Sequence, residues 1–154
     1  MVINREKHYF KRILIPIDVS PTSDRALQEA LVFTNQQNVQ LRLLHVKEEI
    51  HFADSESYIN YSELPESIRS IDSEILTQAQ MKVQQAGRTA EIQILEAEGE
   101  SISGLIVTEA QRWSADLIVI GTHGRTGFNR LLSGSVAEGV LRTSPVPVLL
   151  IRAN

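Results

Sequence analysis

Four of the chain's eight glycines fall within the sixteen residues GTHGRTGFNRLLSGSV, from Gly121 to Val136. Glycine at that density marks backbone that turns sharply or lets another group come close. The residues between are Thr, His, Arg and Ser, which are donors suited to an anion.

Three phosphate- or nucleophile-bearing patterns can be tested on the segment. The dinucleotide fingerprint G-x-G-x-x-G belongs after a first strand, but Gly121, Gly124 and Gly127 are spaced by two residues, and the first strand is followed by the glycine-free DVSPTSD. A Walker loop ends in G-K-[ST] with a glycine five positions earlier. Gly124-Arg125-Thr126 imitates only the ending. The esterase elbow G-x-S-x-G is absent, because Ser135 is followed by Val136 and Ala137.

The spacing that does fit is G-x-x-G, nine residues, then G-S: Gly121, Gly124, Gly134 and Ser135. It makes two half-sites. Gly121 and Gly124 let a loop bend so that its amides face a ligand, while Gly134 and Ser135 open a helix whose free N–H groups and positive dipole end favour an anion. The Ser135 hydroxyl adds a donor, and Arg125 and Arg130 offer charge to a polyphosphate. Charge-assisted hydrogen bonds contribute about 1.5–3 kcal/mol each, so a handful supports about micromolar affinity.

The elements that must position these groups alternate. RILIPIDV (12–19) reads as a buried strand, and Ser20-Pro21 as the cap and first residue of a helix running to about Gln37. VQLRLLHV (39–46) is a second strand. The polar stretch from Lys47 to Glu66 has no period and reads as a long loop. Ile71, Ile75, Ala79, Val83 and Ala86 form a helical stripe that Gly87 stops. TAEIQILEA (89–97) is a third strand, Gly99 leads into a helix ending near Trp113, and ADLIVIG (115–121) is a fourth strand. A helix holding Val136, Val140 and Leu141 precedes a last strand, VPVLLI (146–151). This order predicts an α/β fold with one doubly wound, Rossmann-like parallel sheet of five strands and helices on both faces. Ligands then sit beyond the carboxyl ends of the strands, where Asp18, Val46 and Gly121 share a rim.

The totals narrow the function classes. A chain of 154 residues with 42% hydrophobic and 22% charged content suffices for one globular domain. A net charge of −4 with no basic stripe argues against nucleic-acid or anionic-membrane partners. With no cysteine, disulfides, thiolate metal sites and thiol catalysis are excluded. MVINREKHYF lacks the apolar core of a signal peptide, so a cytoplasmic location is expected.

ILIPIDVS, LLHV, DLIVIGTHGRTG and LLSGSVAEGVLRTSPVPVLLI, in this order, resemble the universal stress protein family, in its ATP-binding branch. The resemblance covers the chain after residue 10 and leaves residues 1–10 as an extension to a domain spanning 11–154. It implies an adenine nucleotide alpha hydrolase-like sheet with strand order 3-2-1-4-5. It also implies that Pro16, Ile17 and Asp18 contact adenosine, Asp18 through the ribose hydroxyls, and that Val46 holds adenine through its backbone. Ile120, Gly121, His123, Gly124 and Arg125 would wrap the ribose and phosphates. Gly134, Ser135 and Val136 would bind the phosphates of ATP, or of ADP or AMP, with Mg2+ bridging them near Ser135. The family pairs as homodimers through its last strand, here Val146 to Ile151, an apolar edge that needs cover. The helix after strand three begins GESISG, without the proline associated with that turn in the family.

The function expected is a nucleotide-dependent, stress-responsive regulatory dimer with at most slow ATP hydrolysis, since no residue supplies an obvious base to orient water. The alternatives are a nucleotide-independent interaction module or a slow ATP-hydrolysing enzyme on the same scaffold. Plainer roles stand beside each site residue. Asp18 suits a helix cap as well as a ribose. His45 reads as a structural histidine and His123 as a loop donor, and no metal-ligand spacing links His8, His45, His51 and His123. Trp113 reads as packing, and Arg42, Arg88 and Arg112 as solvated.

Overall fold

The computed structural model describes residues 10–35, 38–48, 66–122 and 135–152. Five strands, β1 (Arg12–Pro16), β2 (Gln40–Lys47), β3 (Ala90–Glu96), β4 (Leu117–Gly121) and β5 (Val148–Ile151), alternate with four helices, α1 (Pro21–Phe33), α2 (Glu66–Gln85), α3 (Ile102–Arg112) and α4 (Ser135–Thr143). All strand pairs are parallel and the order is β3-β2-β1-β4-β5, as the resemblance implies.

Side-chain alternation divides the core. Ile13, Ile15, Leu41 and Leu43 join Leu27 of α1 and Ile75, Ala79 and Val83 of α2 on one face. Leu14, Leu44, Ile118 and Ile120 join Ile106 of α3 and Val140 of α4 on the other. The direction of winding reverses between β1 and β4, which places the switch point, and the crevice such a reversal leaves, at their carboxyl ends. Trp113 packs into the second cluster, 8% exposed. The α2 stripe is buried at Ile75, Ala79 and Val83, while its first residue, Ile71, is 44% exposed.

Element ends depart from the sequence reading where side chains intervene. Helix α1 stops at Phe33, because Thr34 turns its hydroxyl back to the Ala30 carbonyl (2.6 Å) and gives its own carbonyl to Arg88 Nη1 (2.8 Å). Strand β5 begins at Val148 because Ser144 Oγ donates to the Val146 carbonyl (2.8 Å) and accepts from its amide (3.1 Å), closing a tight turn between two prolines. Strand β1 ends at Pro16 instead of running to Val19.

Two arginines that read as solvated in the sequence are bound instead. Arg88 also donates from Nη2 to the Val39 carbonyl (3.0 Å), pinning the α1–β2 turn. Arg42 lies over the Trp113 ring, 4.5 Å from its centroid, and donates from Nη1 to the buried Glu109 (2.6 Å). Arg112 does face solvent. Each guanidinium finds acceptors far away in sequence, which local hydropathy does not reveal.

Candidate functional site

The rim is assembled from the three central strands. Pro16 is the last residue of β1, with Ile17 and Asp18 just beyond it, Val46 lies near the end of β2, and Ile120 and Gly121 end β4. Ser135 and Val136 begin α4, whose Ala137 and Val140 belong to the same core cluster as Ile120. His123, Gly124, Arg125 and Gly134 lie outside the described residues, as do Arg130 and the segment 49–65.

Helix α1 is fixed to this rim by a dense hydroxyl cluster. Ser20 is the N-cap: its Oγ accepts from the Ser23 amide at 3.1 Å, a cap that contributes about 1 kcal/mol. Asp18 therefore does not cap α1. Its Oδ1 accepts from the Ser20 amide (2.8 Å) and hydroxyl, while its own amide donates to Ser23 Oγ (3.0 Å). One carboxylate oxygen thus shapes the loop, and the half-buried carboxylate lies at the crevice. Ser20, Thr22 and Ser23 are all buried. The sequence signal for this cluster is the hydroxyl-rich SPTS directly after Asp18.

Gly121 meets α1 at the same place. A Cβ built on it would lie 2.6 Å from the Thr22 carbonyl carbon and 2.7 Å from its oxygen and hydroxyl. The first turn of α1 is what comes close to this glycine.

Val46 is placed by the parallel ladder. The Leu44 carbonyl accepts from the Ile17 amide (2.8 Å) and the Lys47 carbonyl from the Ala97 amide (2.9 Å). Backbone groups of successive strand residues point to opposite sides, so Val46, two beyond Leu44, turns its N–H and C=O toward β1. There the pairing has ended, at Pro16 opposite Leu44. Beside it, the buried His45 holds the Ile17 carbonyl through Nδ1 (2.9 Å) and the Asp72 carboxylate through Nε2 (2.8 Å).

A cleft of ≈ 470 Å³ runs from this corner between α1 and α2. Ile17, Asp18 and Ser20 line one end, Ile71 and Glu74 contribute from α2, and Lys82 pairs with Asp24 across it. The cleft thus joins the Asp18 side of the rim to α2, whereas α4 packs on the opposite sheet face. No group of three or more His, Cys, Asp or Glu among the described residues could hold a metal ion, and no helix among them is long and apolar enough to cross a membrane.

Comparison with known proteins extends over this whole arrangement. The chain is 31% identical over 150 residues to the universal stress protein YxiE of Bacillus subtilis, covering 93% of this chain and 99% of that one. A crystal structure of a universal stress protein family member from Burkholderia pseudomallei superposes with a TM-score of 0.73 at 28% identity, covering 94% of this chain and 97% of the other. The Archaeoglobus fulgidus universal stress protein, solved in complex with dAMP, shares the fold with a TM-score of 0.66 at 22% identity, covering 93% and 98%. The family model for universal stress proteins matches residues 9–152, and the chain belongs to that family.

Proposed function

We propose that this chain binds an adenine nucleotide at the rim formed by Pro16, Ile17, Asp18, Val46, Ile120, Gly121, Ser135 and Val136, together with His123, Gly124, Arg125 and Gly134 of the glycine segment. The feature that carries the reading is the Val46 backbone, whose donor and acceptor turn, by strand alternation, to the β1 side just beyond the last paired residues, Pro16 and Leu44. One N–H and one C=O in that arrangement match the acceptor–donor edge of adenine, and Asp18 beside them suits ribose hydroxyls. The Archaeoglobus fulgidus protein, which has the same fold, was solved in complex with dAMP.

Phosphates would lie toward the start of α4, where the first amides of the helix and the Ser135 hydroxyl would provide donors. Mg2+ would be held chiefly by phosphate oxygens, with Ser135 nearby, since the described residues offer no carboxylate cage. Nucleotide occupancy then selects between states of the protein that bind ATP and its hydrolysis product with different affinity. Turnover should fall below the ordinary enzyme range of about 1–1,000 per second, because the sequence pattern cradles phosphates without supplying an obvious base to orient a water.

Calorimetric titration of nucleotide-stripped protein with Mg-ATP, AMP and GTP tests the site. The expected result is about micromolar binding of adenine nucleotides, weaker binding of GTP, and loss of ATP binding in Gly134→Asp. Absence of heat and of thermal stabilisation by every adenine nucleotide would reject the reading.

The homodimer rests on β5. Ile118 donates to the Pro147 carbonyl and Thr122 to the Ile151 carbonyl, both at 2.9 Å, so odd-numbered residues of β5 serve β4. Val148 and Leu150 therefore turn their backbone groups to the open edge, next to the 38% exposed Leu149. Two copies pairing these edges about a two-fold axis would satisfy both. Leu149→Lys should convert a dimer to a monomer in analytical ultracentrifugation; an unchanged sedimentation coefficient would place the interface elsewhere.

A further inference from the structure

We infer that His45 keeps the rim open by capturing the Ile17 carbonyl that the next rung of the β1–β2 ladder would use, which leaves the Val46 amide for a ligand. The ligand half of this inference rests on the adenine-binding reading above. The ladder half stands on the geometry alone.

The register names the missing rung. Pro16 is paired with Leu44, and the Ile17 amide donates to the Leu44 carbonyl at 2.8 Å. In a parallel ladder the following bond runs from the Val46 N–H to the Ile17 C=O. Among the described residues that bond is not made, and the Ile17 carbonyl instead faces His45 Nδ1 at 2.9 Å. A carbonyl oxygen only accepts, so Nδ1 carries the hydrogen. The ring cannot rotate away, because it is 2% exposed and its Nε2 sits 2.8 Å from Asp72 Oδ1 on α2.

A hydrocarbon at position 45 would fill the same space and let the ladder close by one more rung. Backbone donors in protein interiors are nearly always paired, so the amide of the half-buried Val46, without its strand partner, is left for water or for a ligand acceptor. His45 is in this sense a positioning residue: it never touches the nucleotide but decides whether a strand or a ligand receives the Val46 hydrogen bond. Asp72 carries the same control to α2, which lines the cleft beside Asp18.

The test uses the full-length chain. Backbone amide exchange measured by NMR without nucleotide should show Val46 exchanging at least about tenfold faster than Leu44, with protection restored by saturating AMP. Equal protection of the two amides in the free protein would overturn the inference. His45→Asn places an amide nitrogen near the Nδ1 position and should keep AMP affinity within about threefold, while His45→Leu should lose about tenfold or more and gain protection at Val46. A His45→Leu variant that binds AMP like the parent, with Val46 still exchanging fast, would also overturn it. Should His45→Leu not fold, His45→Asn and the exchange of the parent protein decide. If the parent binds no adenine nucleotide, the functional reading fails, yet the nucleotide-free exchange still reports whether His45 ends the ladder.

Discussion

Gly121→Ala is expected to destabilise the nucleotide-free protein by about 2–3 kcal/mol, because overpacking against fixed backbone has that order of cost. For a chain of this size that lowers the melting temperature by about 5–10 °C. The added methyl would sit 2.6 Å from the Thr22 carbonyl carbon. Those atoms belong to the first turn of α1, and α1 is anchored on either side of them. Ser20 caps it, with Asp18 bonded to Ser20 in turn, and Ala26, Leu27 and Ala30 are locked into the core below. Relief therefore requires moving the helix off β4, which opens a packed face. Thermal melts without ligand separate two accounts of this glycine. If the melting temperature holds within about 1 °C while nucleotide binding is lost, Gly121 serves the ligand and the packing account is wrong. Because α1 and Asp18 move together, the destabilised variant should also bind nucleotide more weakly, so the ligand-free melt is the deciding measurement.

The contrast between Gly121 and Val46 shows what a sequence conveys about such a site. The strand runs and the α/β alternation follow from hydropathy and from connection rules that act locally, whereas the strand order with its reversal between β1 and β4 is what the family resemblance implies. They bring Asp18, Val46 and Gly121 to one rim without any knowledge of side-chain contacts. What comes close to a glycine is another matter. The loop pattern makes Gly121 read as a glycine that lets a ligand approach, and it gives no sign that Thr22, nearly a hundred positions earlier, stands where a Cβ at this position would be. The end of β1 is hidden for a similar reason. RILIPIDV is apolar from Ile13 to Ile17, with Pro16 and Asp18 as its only signs of an ending, and the group that meets the Ile17 carbonyl is a histidine of the neighbouring strand. His45 itself reads as structural. Its two partners, a carbonyl 28 positions away and a carboxylate 27 positions away, emerge only on folding. Hydropathy also misplaces Arg42, since a charged residue in a strand reads as solvent-facing unless its partners are known.

Arg42→Met is the substitution expected to cost most, about 3 kcal/mol or more, because it strands a buried carboxylate. Glu109 is 2% exposed and accepts from Arg42 Nη1 at 2.6 Å, and Arg112 Nε, 4.0 Å away on a side chain 72% exposed, is a poor substitute. Methionine retains the stem that covers Trp113 but loses the guanidinium that stacks on it and reaches Glu91. The penalty comes from Glu109 left charged in a low-dielectric setting more than from the pair's own worth, since desolvation cancels much of the attraction in a buried ion pair. A double variant, Arg42→Met with Glu109→Gln, should accordingly recover a large part of the loss, measured by urea unfolding. Arg25→Ala gives the comparison: it breaks an exposed pair with Glu29, 49% and 39% accessible, and should change stability by no more than about 0.5 kcal/mol. If Arg42→Met costs as little as Arg25→Ala, or the double variant is no more stable than the single one, the stranded-carboxylate account fails. Arg42 joins β2 to α3 at the amino-terminal half of the strand, away from Val46 at its other end. Destabilisation there should therefore leave nucleotide affinity unchanged wherever the variant is folded, which makes Arg42→Met the stability control for every substitution at the rim.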